Sequence, residues 1–256
     1  MAGNDASPFD LSGATALVTG ASRGIGRAIA VGLAAAGADV AGVARTEPAL
    51  RALGEEVEAL GRAFLWTAAD VRDPDAAESA VERVWRWHGR IDVLVNAAGV
   101  IVRNDPPGVT PEEFDTVFDT NVRGTFFLTQ AVGARMLEAG GGSIVTVASL
   151  AGEVVTGAAV TYQASKAALI QMTRALAVRW APSVRVNAVG PGYVRTSLNA
   201  AWLDDPENLR YVTERTPLGR VGTPEDVVGA VVFLASPASA FVTGQHLLVD
   251  GGWSAQ

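Results

Sequence analysis

Short apolar runs alternate with helical patterns from one end of the chain to the other. The runs fall at Thr15–Val18, Asp39–Val43, Ala63–Ala68, Ile91–Val95, Ser143–Val147, Val184–Val189 and His246–Val249. Several are nearly continuous in apolar character, as strands buried on both faces of a parallel sheet must be. Helix starts between them carry local signals. Thr110-Pro111-Glu112-Glu113 offers an N-cap, a first-turn proline and two early acids, and Thr223-Pro224-Glu225-Asp226 repeats the device. Asp73-Pro74-Asp75 and Thr46-Glu47-Pro48 are weaker versions. The alternation predicts an α/β architecture: a doubly wound parallel sheet of about seven strands with helices on both faces.

No linker, repeat or low-complexity segment divides the chain. A single domain is expected over residues 11–256, after a flexible tail at 1–10. One long stretch, Gly190 to Arg220, lacks a clear strand and carries Pro191, Gly192, Asp204-Asp205-Pro206 and Pro217. In a compact domain such a segment reads as a lid or binding loop, and residues 193–216 are its expected extent.

Composition narrows the function classes. The 256 residues are 49% hydrophobic and 18% charged, which suits a well-packed globule. A net charge of −7 with no Lys/Arg run argues against a nucleic-acid partner. With no cysteine, disulfides, thiolate chemistry and sulfur-ligated zinc are excluded, and no metal site is read. The N-terminal MAGNDASPFD has neither a basic nor an apolar region of a signal peptide. The apolar stretches Ala28–Ala38 and Val227–Ala235 are too short to span a bilayer. A cytoplasmic protein with no membrane partner is expected.

The first strand runs through Thr19-Gly20-Ala21-Ser22-Arg23-Gly24-Ile25-Gly26 into an apolar helix. Strand, glycine-rich turn and helix are the context of a dinucleotide site. Small residues admit the pyrophosphate, and the helix start presents free N–H groups. A tight turn before a closely packed helix would give the same pattern. The second strand ends Gly42-Val43-Ala44-Arg45-Thr46, with no acid where an adenosine ribose is usually held. Arg45 stands there instead, and Arg23 lies in the turn. Two guanidiniums suit a 2′-phosphate, which points to NADP rather than NAD; solvated surface charges are the plain alternative.

Three features carry chemistry. Tyr162 and Lys166 lie four apart at a helix start and so share a face. A phenol with an ordinary pKa of about 10 needs a shift on the order of three units, roughly 4 kcal/mol, to work near neutrality, and a nearby ammonium favours that shift. Ser149 follows the strand Ser143–Val147, at the carboxyl edge where ligands bind in this architecture. Asn121 interrupts an otherwise apolar helix expected over Pro111–Leu137, where Asn is mildly unfavourable. It could bend the helix and hold a water, or be a satisfied core amide.

Together these residues resemble the short-chain dehydrogenases/reductases, with their Rossmann-like fold, from Leu11 to Trp253. The family's Thr-Gly-x-x-x-Gly-x-Gly is met at Thr19 to Gly26, and its acid–apolar pair, implied to hold the adenine, at Asp70-Val71. Its Asn-Asn-Ala-Gly appears as Asn96-Ala97-Ala98-Gly99, with Ala97 departing from the pattern. Its catalytic set is matched by Asn121, Ser149, Tyr162 and Lys166, and its Pro-Gly-x-x-x-Thr by Pro191, Gly192 and Thr196 around Val194. The turn Ala181-Pro182-Ser183 looks shorter than the family's.

The resemblance implies a cofactor set of Gly20, Ser22, Arg23, Gly24, Ile25, Gly26, Arg45, Asp70, Val71, Asn96, Ala97, Gly99, Tyr162, Lys166, Pro191, Gly192, Val194 and Thr196. It implies hydride transfer between the nicotinamide and a carbonyl or secondary alcohol. Tyr162 exchanges the proton, Ser149 steadies the oxygen, Lys166 lowers the Tyr162 pKa and holds the ribose, and Asn121 holds a water. Val100–Pro107 and Leu150–Ala159 are implied to line the substrate side, with Arg103, Asn104 and Glu153 facing the lid. Gly99-Val100-Ile101-Val102-Arg103 and the ending Asp250-Gly251-Gly252-Trp253 lean toward dehydrogenases of sugar acids such as gluconate and deoxygluconate. A 3-oxoacyl-carrier-protein reductase is the alternative. A non-catalytic cofactor sensor is a remote one, against which the intact catalytic set argues. The family's usual homotetramer is implied, and the helix Ser165–Trp180, apolar on more than one face, is consistent with it.

Overall fold

In the computed structural model, which describes residues 7–256, the seven apolar runs become seven parallel strands of one sheet. They are β1 (Thr15–Thr19), β2 (Asp39–Ala44), β3 (Phe64–Ala68), β4 (Val93–Asn96), β5 (Gly142–Val147), β6 (Val184–Pro191) and β7 (His246–Val249). Their order across the sheet is β3-β2-β1-β4-β5-β6-β7. Alternate residues of β1 enter opposite cores, because strand side chains point to opposite faces. Val18 packs with Leu33 of α1 (Gly24–Ala35) and Val227 and Val231 of α9 (Pro224–Ala235). Leu17 packs on the other face with Val84 of α3 (Pro74–His88) and Leu128 and Val132 of α5 (Thr125–Ala139).

Helix starts follow the expected chemistry. Thr110 and Glu113 form a reciprocal capping box before α4 (Pro111–Phe118), with Glu113 N–H to Thr110 Oγ1 at 3.3 Å and Thr110 N–H to Glu113 Oε2 at 2.9 Å. Asp226 accepts from the Thr223 N–H at 2.7 Å. Asp73 caps α3 through the N–H groups of Asp75 and Ala76. Thr46 gives α2 (Glu47–Ala59) no side-chain cap.

The single helix expected over Pro111–Leu137 is divided. Between α4 and α5 the chain widens into a π-helical segment, Asp119–Gly124, with Asn121 inside it. Such widening often marks functional sites. Here it lets Gly124 lie against Val71, where an added Cβ would come within 2.9 Å of the Val71 carbonyl carbon.

Of the expected tail, residues 1–6 lie outside the described residues, and the remainder is docked. Ala238 N–H donates to Pro8 C=O at 2.9 Å, and the Phe9 ring lies 6.4 Å from that of Phe233. The segment after β6 holds two helices, α7 (Ala200–Leu203) and α8 (Pro206–Arg215), and Val194 bridges to Gly222. Helix α6 (Val160–Trp180) completes the layer beside β6. No described helix is long and apolar enough to cross a membrane.

Candidate active site

The sheet order reverses between β1 and β4, so their carboxyl ends diverge into a crevice. A cavity of about 620 Å³ opens there. Its first wall is the turn after β1. Gly20 and Gly24 take left-handed φ values of 65° and 55°, open to glycine at little cost. Gly20 also has no room for a side chain, since a Cβ would stand 2.8 Å from Ala97 C=O and from Ala98. Thr19 Oγ1 accepts from the N–H groups of Ala97 and Ala98 at 3.1 and 3.2 Å, tying the turn to β4. Helix α1 begins at Gly24 with no side-chain cap, so its first N–H groups face the cavity free for an anion. This cradle fits the diphosphate of a dinucleotide.

One end of the cavity is edged by Ser22, Arg23, Ala44, Arg45 and Thr46. Both arginines are exposed, and neither has an ion-pair partner among the described residues. Asp70 and Val71 form the adjoining wall. Arg72 grips the Asp70 carboxylate through Nε and Nη2, at 3.0 and 2.7 Å to Oδ2. That grip holds the Asp70 carboxyl below its ordinary value, against burial and with a further contribution from Arg45.

At the other end stand Ser149, Tyr162 and Lys166. Lys166 is buried and donates from Nζ to the Val147 carbonyl at 2.8 Å, with Nζ 5.5 Å from the centre of the Tyr162 ring. Burial lowers its pKa to about 8. Burial also pushes the Tyr162 phenol up, while the Ser149 hydroxyl and the Arg103 charge pull it down. Ser149 Oγ accepts from the Ala151 N–H at 3.1 Å, leaving its own hydrogen to donate.

Two of the expected residues stay out of the cavity. Asn96 is buried beneath the floor, donating to Thr129 and Thr146 at 2.8 and 3.4 Å. It braces the end of β4. Asn121 is fully buried too. Its Oδ1 accepts from Val100 N–H at 2.8 Å, and its Nδ2 donates to Val100 C=O and Ser165 Oγ, both at 3.0 Å. Both amide hydrogens are engaged by protein, so the side chain offers no donor to a water. The rest of the expected cofactor set lines the cavity.

Of the three polar residues implied on the substrate side, Arg103 reaches the 193–216 segment. Its guanidinium lies 5.5 Å over the Trp202 ring of α7, and its charge acts on both Tyr162 and Tyr193. Tyr193 stacks on Trp202 with ring centres 5.7 Å apart. Asn104 turns away, donating to Gly108 C=O and Glu113 at 2.8 and 2.9 Å. Glu153 is drawn to His246, 3.0 Å away, and to Arg174 at 3.5 Å. The backbone turns and long-range partners that claim these side chains are invisible in a loop sequence. Thr120, which the sequence does not single out, reaches the cavity through the π segment, and Ser197, Leu198 and Asn199 reach it from the start of the 193–216 stretch.

Comparison with known proteins agrees with this geometry. A family model described as enoyl-(acyl carrier protein) reductase matches residues 20–254. The chain is similar to a 2-dehydro-3-deoxy-D-gluconate 5-dehydrogenase of Dickeya dadantii, 39% identical over 97% of this chain and 98% of the relative. Among solved structures it is similar to a short-chain type dehydrogenase/reductase from Mycobacterium marinum, at a TM-score of 0.92 and 39% identity, covering 97% of this chain and 98% of that one. It is also similar to a gluconate 5-dehydrogenase from Burkholderia cenocepacia in complex with NADP and tartrate, at a TM-score of 0.94 and 35% identity, covering 97% and 98%.

Proposed function

The chain belongs to the short-chain dehydrogenase/reductase family, and from that premise we propose that it interconverts a carbonyl and a secondary alcohol on a sugar acid or related polyol. The observation that carries the reading is the meeting of Ser149, Tyr162 and Lys166 at one end of a cavity whose other wall is the glycine-rich cradle. A nicotinamide dinucleotide bound there supplies or accepts the hydride. The chain's own residues bind, orient and move the proton. The α1 N-terminus and Gly20–Gly26 hold the diphosphate, and Asp70-Val71 holds the adenine. Ser149 donates to the reacting oxygen. Tyr162 gives that oxygen a proton in reduction and takes it back in oxidation. Burial pushes the phenol up, which suits the first task, while Ser149 and Arg103 pull against that rise. Lys166 holds the ribose and adds positive charge beside the phenol.

The preferred cofactor is NADP. Arg23 and Arg45 stand at the cavity edge without an ion-pair partner among the described residues, β2 ends without an acid, and the Burkholderia structure contains NADP. Arg103 favours a substrate with a carboxylate, in keeping with the tartrate of that structure and the deoxygluconate of the Dickeya name. A homotetramer is part of the proposal. Phe114, Phe126, Phe127 and Leu137 on α4 and α5, and Val178 on α6, are exposed apolar side chains that an assembly would cover.

The test is a substrate panel of sugar acids, neutral polyols and 3-oxoacyl thioesters, followed by nicotinamide absorbance. Turnover of gluconate-type acids with NADP is expected. Turnover confined to 3-oxoacyl thioesters would assign the chain to the other branch.

A further inference from the structure

Ser165 is fully buried near the start of α6 and takes no part in the proton transfer described above. Its hydroxyl donates to the Tyr162 carbonyl at 2.7 Å and accepts from Asn121 Nδ2 at 3.0 Å. Asn121 in turn clasps Val100 by both its main-chain polar groups. A Cβ built on Gly99 would stand 3.4 Å from Asn121 Oδ1 and 3.6 Å from Lys166 Nζ, so the end of β4, the π segment and α6 meet at this point. The hydrogen bonds run in series from Val100, through Asn121 and Ser165, to the main chain of Tyr162.

A hydroxyl has one hydrogen and two acceptor sites, and here it serves two segments at once. Serine bonding back to its own helix usually has only a small bending effect. In this helix the same oxygen is also the landing point for Asn121, which no backbone group replaces. An alanine at 165 removes both bonds and leaves an Asn121 N–H buried without an acceptor.

We propose that Ser165 is a positioning residue: acting through Asn121 and the Tyr162 carbonyl, it sets the spacing between the Gly99–Val100 floor and the Tyr162–Lys166 turn. The inference rests on the catalytic reading above. It gives the buried Asn121 amide a role as one link of a stitch.

The test compares Ser165→Ala, Ser165→Cys, Asn121→Ala and the Ser165→Ala/Asn121→Ala double variant as holoenzymes with NADPH. Small misplacements in an active site are amplified in rate, and residues of one network are non-additive. Ser165→Ala is expected to lower kcat on the order of tenfold, with KM and NADPH affinity within about twofold. The double variant should be no slower than Asn121→Ala by more than about twofold. Ser165→Cys, which keeps volume but bonds weakly, should fall between, and it serves if the alanine variant does not fold. Amide exchange at Asp119–Gly124 should rise in the variants. An unchanged kcat, a double variant equal to the product of the singles, or unaltered exchange overturns the proposal. An inactive parent protein would sink the catalytic reading alone, since the exchange comparison still decides whether Ser165 joins the two segments.

Discussion

Lys166 has its ammonium buried between α6 and the end of β5, at the cavity wall, with the Val147 carbonyl as its hydrogen-bond partner among the described residues. Burial moves its pKa from 10.5 to about 8. Between those values the unfolded chain holds more protons than the folded one, so stability rises with pH, and below pH 8 the full penalty of a buried charge applies. That penalty is on the order of 3 kcal/mol, against about 1 kcal/mol for the bond to Val147. Lys166→Met should therefore stabilise the fold at pH 7 and lose that advantage by pH 10. Denaturant unfolding at the two pH values reads the difference, and an equal effect at both would refute the assignment. The same position shows what the site accepts for its chemistry: a charge that the fold alone would reject. Tyr162→Phe removes one oxygen and little volume. It should abolish turnover while leaving NADPH binding within a few fold, as measured by fluorescence titration, and substantial residual activity would remove Tyr162 from the proton path. At the adenosine end, Ala44→Asp with Arg45→Ala places a carboxylate where a 2′-phosphate would sit. The ratio of NADPH to NADH affinity should invert, whereas a parent protein that already prefers NADH would defeat the arginine argument.

At the scale of elements, the segment 193–216 is built for two environments. Tyr193 stacks on Trp202, which lies against Arg103, and Tyr211 and Trp253 continue the aromatic cluster. Leu198, Leu209 and Tyr211 are exposed. We expect α7 and α8 to move as a lid, gaining amide-exchange protection when NADPH binds; equally strong protection with and without cofactor would mark a rigid connection. The elements were also where reading the sequence met its limits. The seven strands are legible because several are short runs of nearly continuous apolar character between helical patterns, and the capping signals at Thr110 and Thr223 name helix starts to the residue. The π segment was not visible: widening a few residues barely disturbs a 3.6-residue pattern, and Asn121 was its only mark. Asn121, Ser149, Tyr162 and Lys166 could be selected by their match to the family's motifs. Their partners could not. Ser165 reads as an ordinary small helical residue until Asn121, forty-four positions earlier, is seen beside it. The family resemblance implies Asn104 and Glu153 at the lid, and partners at Glu113 and His246 draw them elsewhere.

For the whole molecule, the exposed aromatic and aliphatic side chains of α4, α5 and α6 make self-association the expected state. Light scattering at micromolar concentration should give four times the chain mass of 26.4 kDa, and a monomeric mass would contradict the assembly. The sheet order has a consequence for how the protein comes into being. Strands β1 and β4 are neighbours in the sheet although about eighty residues of chain separate them, and the glycine turn after β1 leans on Ala97 and Ala98 at the end of β4. During synthesis the turn is complete long before its buttress leaves the ribosome. A nascent chain stopped before β4 can pair β1 with β2 and β2 with β3, yet it has half a crevice and no floor. Dinucleotide affinity is then a property of the joined halves, and cofactor present during synthesis stabilises only chains that have passed that point. Binding acts as a late checkpoint on folding, drawing the population toward the finished molecule without guiding its first steps.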